Sequence, residues 1–417
     1  MNILIKSAKI IDPSNEELHS KKRDVLIKNG IIVAISPKIE EEKGTKVVQA
    51  KNLHLSNGWF DSGIAFGEPG FEERETIANG LLTAAKGGFT DIVLNPNTHP
   101  VPDTSSDIVF LRNRANGHAC NLYPLGTLTM NGSGKDLAEL YDMKNAGAVG
   151  FYDFKHPVEN ANLLKIGLQY TQNFGGLVFS FPLDTSIYHK GVANEGAIST
   201  KLGLRGIPAM AEELQVARDL FILEYTGGKL HIPTISTANS VKLIAEGKKK
   251  GLDVSCSVAI HNLFYTDNVL EEFDTRYKVL PPLRTKSDTK ALIRAVKDGT
   301  IDFVTTDHTP MDVEQKRVEF DNAAYGTIGI ENSFGILNQL FDLDTTISLL
   351  TNGRERFGLL SPELKEGKNA CLTLFNSAEE YVFNDEHINS TSKNSMFLGS
   401  MLKGKALGII CNDQCII

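Results

Sequence analysis

Cysteine is scarce in this chain, and no long hydrophobic run is present. The five cysteines among 417 residues are odd in number and mostly far apart, which excludes the disulfide framework of a small secreted domain. No apolar stretch reaches the ~20 residues that a membrane-spanning helix needs. The first segment, MNILIKSAKI, lacks the hydrophobic core of a signal peptide. We therefore expect a cytoplasmic protein with reduced thiols and no membrane partner.

Positive charge is not in excess either. Lysine and arginine number 43 against 51 aspartates and glutamates, which gives a net charge of −8. A mildly acidic chain argues against a nucleic-acid surface, so no nucleic-acid partner is expected. Hydrophobic residues make up 41% of the chain and charged residues 23%, which is an ordinary globular composition. It excludes a disordered, collagen-like or coiled-coil protein.

The central part of the chain alternates between two kinds of segment. From Gly58 onward, short apolar runs are separated mostly by segments of helical periodicity, such as ETIANGLLTAAKGG, AMAEELQVARDLFILEYTGG and TKALIRAVKDG. The apolar runs are WFDSGIAF, TDIVLN, LYPLGTL, AVGFYD, GLVFSF, KLHIPTI, LDVSCSVA and IDFVTTD. Eight β/α alternations over about 250 residues predict an α/β fold, a TIM (β/α)8 barrel.

Both ends of the chain are strand-like. The pattern is apolar or alternating in ILIKSAKIID and DVLIKNGIIVAIS near the start, and in NACLTLFN, EEYVFN and KALGIICN near the end. Turn residues such as Asn29-Gly30 separate the apolar runs. We expect the two ends to pair with each other as a small β-sandwich domain. The predicted division is residues 1–55 and 361–417 for the two parts of that domain, and residues 56–360 for the barrel.

In a barrel of this kind, catalytic side chains stand at the C-terminal ends of the strands. The residues at these predicted ends are Gly63, Ala65, Asn97, Asp153, Phe181, Thr234 and Asp307. Several of them carry no reactive group. The lack of reactive side chains at these positions is the main indication of function in the sequence.

Six motifs in the expected order resemble those of dihydroorotase, a cyclic amidohydrolase family. They are GWFDSGIAFGEPGFEERET, LNPNTHPVPD, GVANEGAISTKLGLRGIPAMAEE, KVLPPLRTKSD, TTDHTPM and YGTIGIEN. The resemblance covers nearly the whole chain, including both terminal β segments.

The resemblance implies a zinc centre at the barrel mouth. Members of the family hold the metal with two histidines after the first strand, a bridging carboxylate after the fourth, histidines after the fifth and sixth, and an aspartate after the eighth. The metal generates a hydroxide from bound water, and the eighth-strand aspartate moves the proton as the cyclic amide is hydrolysed. An arginine and an asparagine bind the substrate carboxylate.

This sequence departs from that pattern at most of the functional positions. The four histidine ligand positions hold Gly63, Ala65, Phe181 and Thr234. The arginine position holds Gly67, the asparagine of the PPLR segment is Leu280, and the second histidine of the eighth-strand motif is Met311. We therefore predict no metal site and no cofactor, with Phe181 filling space where the metals of the family lie.

Asp307, His308 and Asn97 remain at matching positions. Asp307 is either a proton shuttle or a carboxylate that caps the loop after the last strand. Asn97 is either half of a carboxylate clamp or a turn residue. Asp153 falls in the region of the bridging carboxylate, although Phe154 interrupts the family's Asp-Asp pattern there. Because carboxylates without imidazole hold zinc poorly, both retained positions, Asp307 and Asn97, are expected to be vestigial.

Other histidines could rebuild a site only by relocation. We expect His231 to lie on the opposite strand face from Thr234, and His308 to point away from Asp307. His156 and His261, near strand ends, are better placed, but a new metal site would also need new supporting contacts.

The resemblance therefore predicts a dihydroorotase homologue of pyrimidine biosynthesis that has lost its zinc site and has a structural or regulatory role. The competing prediction is a functional dihydroorotase or cyclic amidohydrolase with weak or altered metal dependence. A homodimer is the first partner expected. Aspartate transcarbamoylase or an active dihydroorotase is the second.

Overall fold

The computed structural model describes residues 1–417, which form seventeen strands and thirteen α-helices. The strands are β1 Asn2–Ile10, β2 Lys22–Lys28, β3 Ile31–Ser36, β4 Lys46–Val48, β5 His54–Asn57, β6 Trp59–Ile64, β7 Phe89–Leu94, β8 Asn121–Pro124, β9 Leu177–Phe179, β10 Ala193–Asn194, β11 Gly206–Ile207, β12 Lys229–Ile232, β13 Val254–Ala259, β14 Phe303–Thr305, β15 Leu372–Val382, β16 Met401–Cys411 and β17 Gln414–Ile416. The helices are α1 Ile77–Lys86, α2 Ser105–Arg114, α3 Leu140–Ala146, α4 Ala161–Thr171, α5 Thr185–Tyr188, α6 Ala197–Leu202, α7 Ala209–Thr226, α8 Ala238–Lys249, α9 Ile260–Phe264, α10 Lys286–Lys297, α11 Val313–Lys316, α12 Ser333–Leu340 and α13 Leu343–Thr351.

The eight predicted apolar runs lie side by side in parallel. Strands β6, β7 and β8 pair in that order, and β9, β12, β13 and β14 pair in a second group. Phe151 joins the groups by parallel bridges to Gly126 and Val178. The Ala65 N–H donates to the His308 carbonyl at 2.8 Å, which connects the end of the last run to the first. The α/β prediction is confirmed, and all eight predicted runs take part in this cyclic order.

Helices separate most of the parallel strands, as the sequence pattern predicted. The helical segments predicted after Glu75, before Gly227 and before Gly299 correspond to α1, α7 and α10. Gly227 and Gly299 follow the ends of α7 and α10 and have positive φ values of +68° and +77°. Glycine adopts such values without the steric strain that a side chain would cause. The apolar sides of these helices pack on the strands in one cluster of 62 buried residues.

The chain ends meet in one mixed sheet. Its strand order is β17-β16-β15-β5-β1-β2-β3, and β4 also pairs with β1, in parallel. The C-terminal strand β15 is antiparallel to β5, which is parallel to β1 near the N-terminus. The two chain ends are thus paired in a single sheet that has its own apolar cluster. The boundaries at residues 55 and 360 stay predictions.

A buried ion pair ties together the segments that follow several parallel strands. Arg284, of the PPLR motif, donates to Asn194 Oδ1 at 2.9 Å and to the Ile207 carbonyl at 2.8 Å. Its Nη2 lies 3.8 Å from Glu212 Oε2, and both side chains are almost fully buried. Glu212 accepts in turn from the Ser236 N–H at 2.8 Å. Arg284, Asn194, Ile207 and Glu212 lie in the motifs that resemble dihydroorotase, and here they hold the fold together.

No helix in the structure has the length and apolar character that crossing a membrane requires.

Candidate functional site

Two cavities of very different size lie at the carboxyl ends of the parallel strands. The larger is a groove of about 910 Å³ that is lined in part by Asn97, Asp153 and Lys155. The smaller is a space of about 20 Å³ where Gly63, Thr234 and Asp307 meet. It has room for about one water molecule. Phe154 lines both cavities and therefore stands between them.

A lysine occupies the position next to the retained aspartate. Lys155 Nζ donates to Asp307 Oδ2 at 2.8 Å, with side-chain exposures of 12% and 4%. Burial raises the pKa of the Asp307 carboxyl, and the Lys155 ammonium partly opposes that rise. The cation that faces this carboxylate is thus supplied by the chain itself. The sequence-based interpretation overlooked Lys155. A lysine two residues after Asp153, in a chain that lacks the histidine ligands, is a signal that a side-chain cation takes the place of the metal charge.

Asp153 is fully engaged in hydrogen bonds within the protein. Its Oδ1 accepts from the backbone N–H groups of Leu128 and Thr129 at 2.9 and 3.0 Å, and its Oδ2 accepts from Thr129 Oγ1 at 2.6 Å. Burial raises the pKa of this carboxyl, while the hydrogen bonds from Thr129 and Leu128 lower it. The carboxylate fixes the loop after β8.

Aromatic rings lie beside the point where two of the four histidine positions, Gly63 and Thr234, meet. Tyr152, Phe154 and Phe179 line the small cavity beside Gly63 and Thr234. Phe181 is buried, as predicted, but it lies in the adjoining apolar cluster rather than on this cavity. The rings that take up the space beside Gly63 and Thr234 are therefore different from the one predicted.

The position expected to hold the arginine has no space for a side chain. A Cβ on Gly67 would lie 2.2 Å from the Phe71 carbonyl oxygen, so the loop itself excludes any larger residue there.

Asn97 lines the groove and donates from Nδ2 to the Phe66 carbonyl at 3.1 Å, while its buried Oδ1 has no partner. Leu280 and Met311 also line the groove. An asparagine side chain without the accompanying arginine binds a substrate carboxylate poorly.

His231 is the histidine whose predicted orientation is wrong. It lines the small cavity together with Thr234, rather than facing away from it. The reason is that Thr234 lies beyond the end of β12 at φ +49°, so strand alternation does not extend to it. The ring nitrogens of His231 bond Ser255 Oγ at 2.8 Å and Ser257 Oγ at 3.2 Å. Burial holds the pKa of this histidine well below its usual range.

The other three histidines do not converge on a common point. His308 is absent from both cavities and accepts at Nδ1 from the Gly329 N–H at 3.2 Å, so its predicted orientation is confirmed. His156 lines the groove. His261 is buried with both ring nitrogens unpartnered, and burial lowers its pKa to about 3.

The residues present do not fit a zinc ion. Protein zinc sites use three or four nitrogen, sulfur or oxygen ligands. No group of three histidine, cysteine, aspartate or glutamate side chains in the structure could hold a metal ion. Asp307 is paired with Lys155, and Asp153 already accepts three hydrogen bonds.

The backbone is unusual at three of these positions. Lys155, Thr234 and Asp307 have φ of +55°, +49° and +46°. Positive φ is uncommon outside glycine and most strained for a β-branched residue such as threonine. Such conformations persist only where the surrounding structure enforces them, commonly at ligand sites.

Relatives of known name match this chain along its full length. The dihydroorotase of Pelotomaculum thermopropionicum is 38% identical over 424 residues, covering 100% of this chain and 99% of the relative. That of Geobacter sp. (strain M21) is 36% identical over 423 residues, with the same coverage. The family description "Dihydro-orotase-like" matches residues 55–240.

The chain belongs to the dihydroorotase family. Among solved structures, the L-hydantoinase of Arthrobacter aurescens superposes with a TM-score of 0.85 at 19% identity, covering 99% of this chain and 95% of that one. The dihydropyrimidinase of Brevibacillus agri NCHU1002 gives 0.81 at 21% identity, covering 99% and 94%. At these identities the likeness shows a shared fold, and the resemblance stated from the motifs is confirmed.

Proposed function

We propose that this protein is a dihydroorotase homologue without a zinc site, non-catalytic, with a structural or regulatory role in pyrimidine biosynthesis. The observation that carries the proposal is the ion pair of Lys155 with Asp307. An aspartate that must move a proton needs access to activated water. Here its carboxylate faces an ammonium group and a cavity of about 20 Å³ lined in part by aromatic rings.

The competing proposal is a functional dihydroorotase or cyclic amidohydrolase with weak or altered metal dependence, which would interconvert dihydroorotate and N-carbamoyl-aspartate. It is favoured by the names of the relatives and by the open groove beside Asn97 and Asp153. Asp307 also remains at the matching position. Metal content and turnover distinguish the two proposals.

We expect purified protein to contain no stoichiometric zinc. The available carboxylates are paired or hydrogen-bonded, and the imidazole positions are glycine, alanine, phenylalanine and threonine. Metal analysis of protein prepared without chelator, and then dialysed against added zinc, measures this directly. The dihydroorotase of Pelotomaculum thermopropionicum, prepared in parallel, is the reference. Retention of one zinc per chain, lost on substitution of Asp153 and Asp307, would support the competing proposal.

We also expect no hydrolysis of dihydroorotate above background, and no change on Asp307→Asn. The asparagine keeps the shape of the side chain and removes its capacity to accept a proton. The assay follows ring opening and ring closure over a range of protein concentration, with the same relative as positive control. Turnover proportional to enzyme, abolished by Asp307→Asn in a folded variant, would overturn the non-catalytic proposal.

The finer features of architecture and association belong to the same proposal. We propose that the cyclic parallel strands form a (β/α)8 barrel of the amidohydrolase type, and that the terminal sheet is the β-sandwich domain. The protein is proposed to act in the cytoplasm as a homodimer, and secondly to associate with aspartate transcarbamoylase or an active dihydroorotase. Co-purification of the untagged enzymes from the native host tests the second association, and repeated failure would count against it.

A further inference from the structure

Two cysteines that are far apart in sequence meet where the terminal sheet contacts the parallel strands. Cys371 directly precedes β15, and Cys411 is the last residue of β16. Cys371 Sγ lies 3.9 Å from Asp91 Oδ2, and Cys411 Sγ lies 4.0 Å from Asn121 Nδ2. Asn121 Nδ2 also donates to Asp91 Oδ1 at 3.0 Å. The two sulfur atoms therefore contact the same hydrogen-bonded pair of side chains.

Cys371 and Cys411 stand opposite each other on antiparallel strands. The register pairs Leu372 of β15 with Ile410 of β16, and one step further along the ladder it places Cys371 opposite Cys411. Residues directly opposite each other have Cα atoms about 4.5–5.5 Å apart and side chains on the same face. A disulfide needs a Cα separation of about 4.4–6.8 Å, so a bond between these two residues requires no movement of the backbone.

Proximity in sequence would instead pair Cys411 with Cys415, but the sheet separates them. Strands β16 and β17 pair so that Cys415 lies opposite Ile410, the neighbour of Cys411. Because successive residues of a strand point to opposite faces, Cys411 and Cys415 lie on different faces of the sheet. Cys415 packs against the apolar cluster of the terminal sheet, which includes Ile410.

Both thiols border a cavity that reaches the protein surface. Its volume is about 530 Å³, and it is lined in part by Cys371, Cys411 and Leu360. Leu360 is 95% exposed, so this side of the cavity faces solvent. Cys371 is partly exposed, whereas Cys411 is buried. A small reagent that enters the cavity therefore meets Cys371 first.

We propose that Cys371 and Cys411 are an oxidation site, at which exchange with a low-molecular-weight disulfide forms a reversible disulfide bond. The Cys371 thiolate attacks one sulfur of the small disulfide, whose S–S bond breaks and releases one small thiol. Cys411 then loses its proton and attacks the Cys371 sulfur, which releases the second small thiol. Two protein S–H groups are oxidised to one S–S bond, and the small disulfide is reduced to two thiols that carry both protons.

The surroundings give the two cysteines different roles. The contact with the neighbouring Cys371 thiol and burial raise the pKa of Cys411. Because the thiolate is the nucleophile, Cys411 is the slower of the two to react with an external disulfide. Cys371 is therefore the entry point and Cys411 the resolving thiol. These roles are independent of whether the groove at the other strand ends catalyses a reaction.

The structure accommodates the loss of the Cys371 S–H group. Asp91 Oδ2 keeps its hydrogen bonds from Arg354 Nη2 at 2.6 Å and Thr90 Oγ1 at 2.7 Å. A thiol at 3.9 Å is only a weak donor to this carboxylate. The reduced thiols expected from the sequence are the resting form, and the same fold holds the oxidised form, as a reversible bond requires.

Peptide mapping of the full-length protein tests the pairing. Folded protein is incubated with glutathione disulfide, free thiols are blocked with N-ethylmaleimide, and unreduced peptides are mapped by mass spectrometry. The Cys371–Cys411 link should exceed any other pairing on the order of tenfold, because only this pair has bonding geometry, and dithiothreitol should remove it. Cys256→Ser and Cys415→Ser are the matched controls and should leave it unchanged. Absence of an intramolecular disulfide, or a dominant link to Cys120, overturns the proposal.

Serine variants test the order of the two steps. In Cys411→Ser, the reaction should stop at a mixed disulfide between glutathione and Cys371. In Cys371→Ser, Cys411 should remain a free thiol, because it is buried. Circular dichroism verifies that each variant is folded, and Cys411→Ala replaces Cys411→Ser if serine is not tolerated at the buried position. Glutathione bound at Cys411 in folded Cys371→Ser protein would contradict the assigned roles.

Discussion

Arg284→Met is expected to destabilise the protein by about 3–5 kcal/mol, the usual cost of removing one partner of a buried ion pair. The substitution leaves Glu212 without its nearby cation and leaves Asn194 Oδ1 and the Ile207 carbonyl without this donor. Because the total free energy of unfolding of a protein is ~5–15 kcal/mol, this loss would be a large fraction of it. Urea unfolding, followed by circular dichroism, measures it.

A matched arginine near the surface provides the control for this prediction. Arg23 donates to the neighbouring Lys22 carbonyl at an exposed position, so Arg23→Met should change stability by no more than ~0.5 kcal/mol. A loss below ~1 kcal/mol for Arg284→Met would show that the shared motifs are not retained for stability. Retention of PPLR would then point back to function.

Lys155→Met is expected to destabilise the protein by about 3 kcal/mol near neutral pH, because it leaves the Asp307 carboxylate buried without a cation. Burial already raises the pKa of Asp307, and loss of the ammonium raises it further. A carboxyl whose pKa is raised on folding favours the folded state at low pH, and that contribution is lost as pH rises through the folded pKa. The loss of stability caused by Lys155→Met should therefore become smaller as the pH is lowered. The change should be at most ~1.4 kcal/mol per pH unit, and it should occur between the Asp307 pKa of the variant and the lower Asp307 pKa of the wild type.

The measurement is a set of urea unfolding curves from pH 5 to pH 8, with two comparisons. On an Asp307→Asn background, Lys155→Met should cost less and show no such pH dependence. Lys201→Met removes an exposed ion pair with Glu271 and should cost no more than ~1 kcal/mol at any pH. A penalty that is the same at pH 5 and pH 8 would mean that the Lys155–Asp307 charge pair is not its source.

The family resemblance predicts both a homodimer and the loss of the zinc site. The absence of imidazole at Gly63, Ala65, Phe181 and Thr234 is visible in the sequence.

The sequence alone determined the α/β class, the eight parallel runs, the pairing of the chain ends and the family. These features follow from local periodicity and from motifs, which need no knowledge of distant contacts. Even the Asn29-Gly30 turn between β2 and β3 has φ of +49° and +74°, as its dipeptide predicts.

The tertiary structure decided what stands at the strand ends. Lys155 and Asp307 are 152 residues apart in sequence, and only the cyclic order of strands brings their charges to 2.8 Å. Phe179 and His231 line the small cavity because neighbouring strands β9 and β12 present them to the same interior. Gly67 excludes an arginine because of the path of its own loop. Each of these depends on long-range packing, which local propensity does not encode.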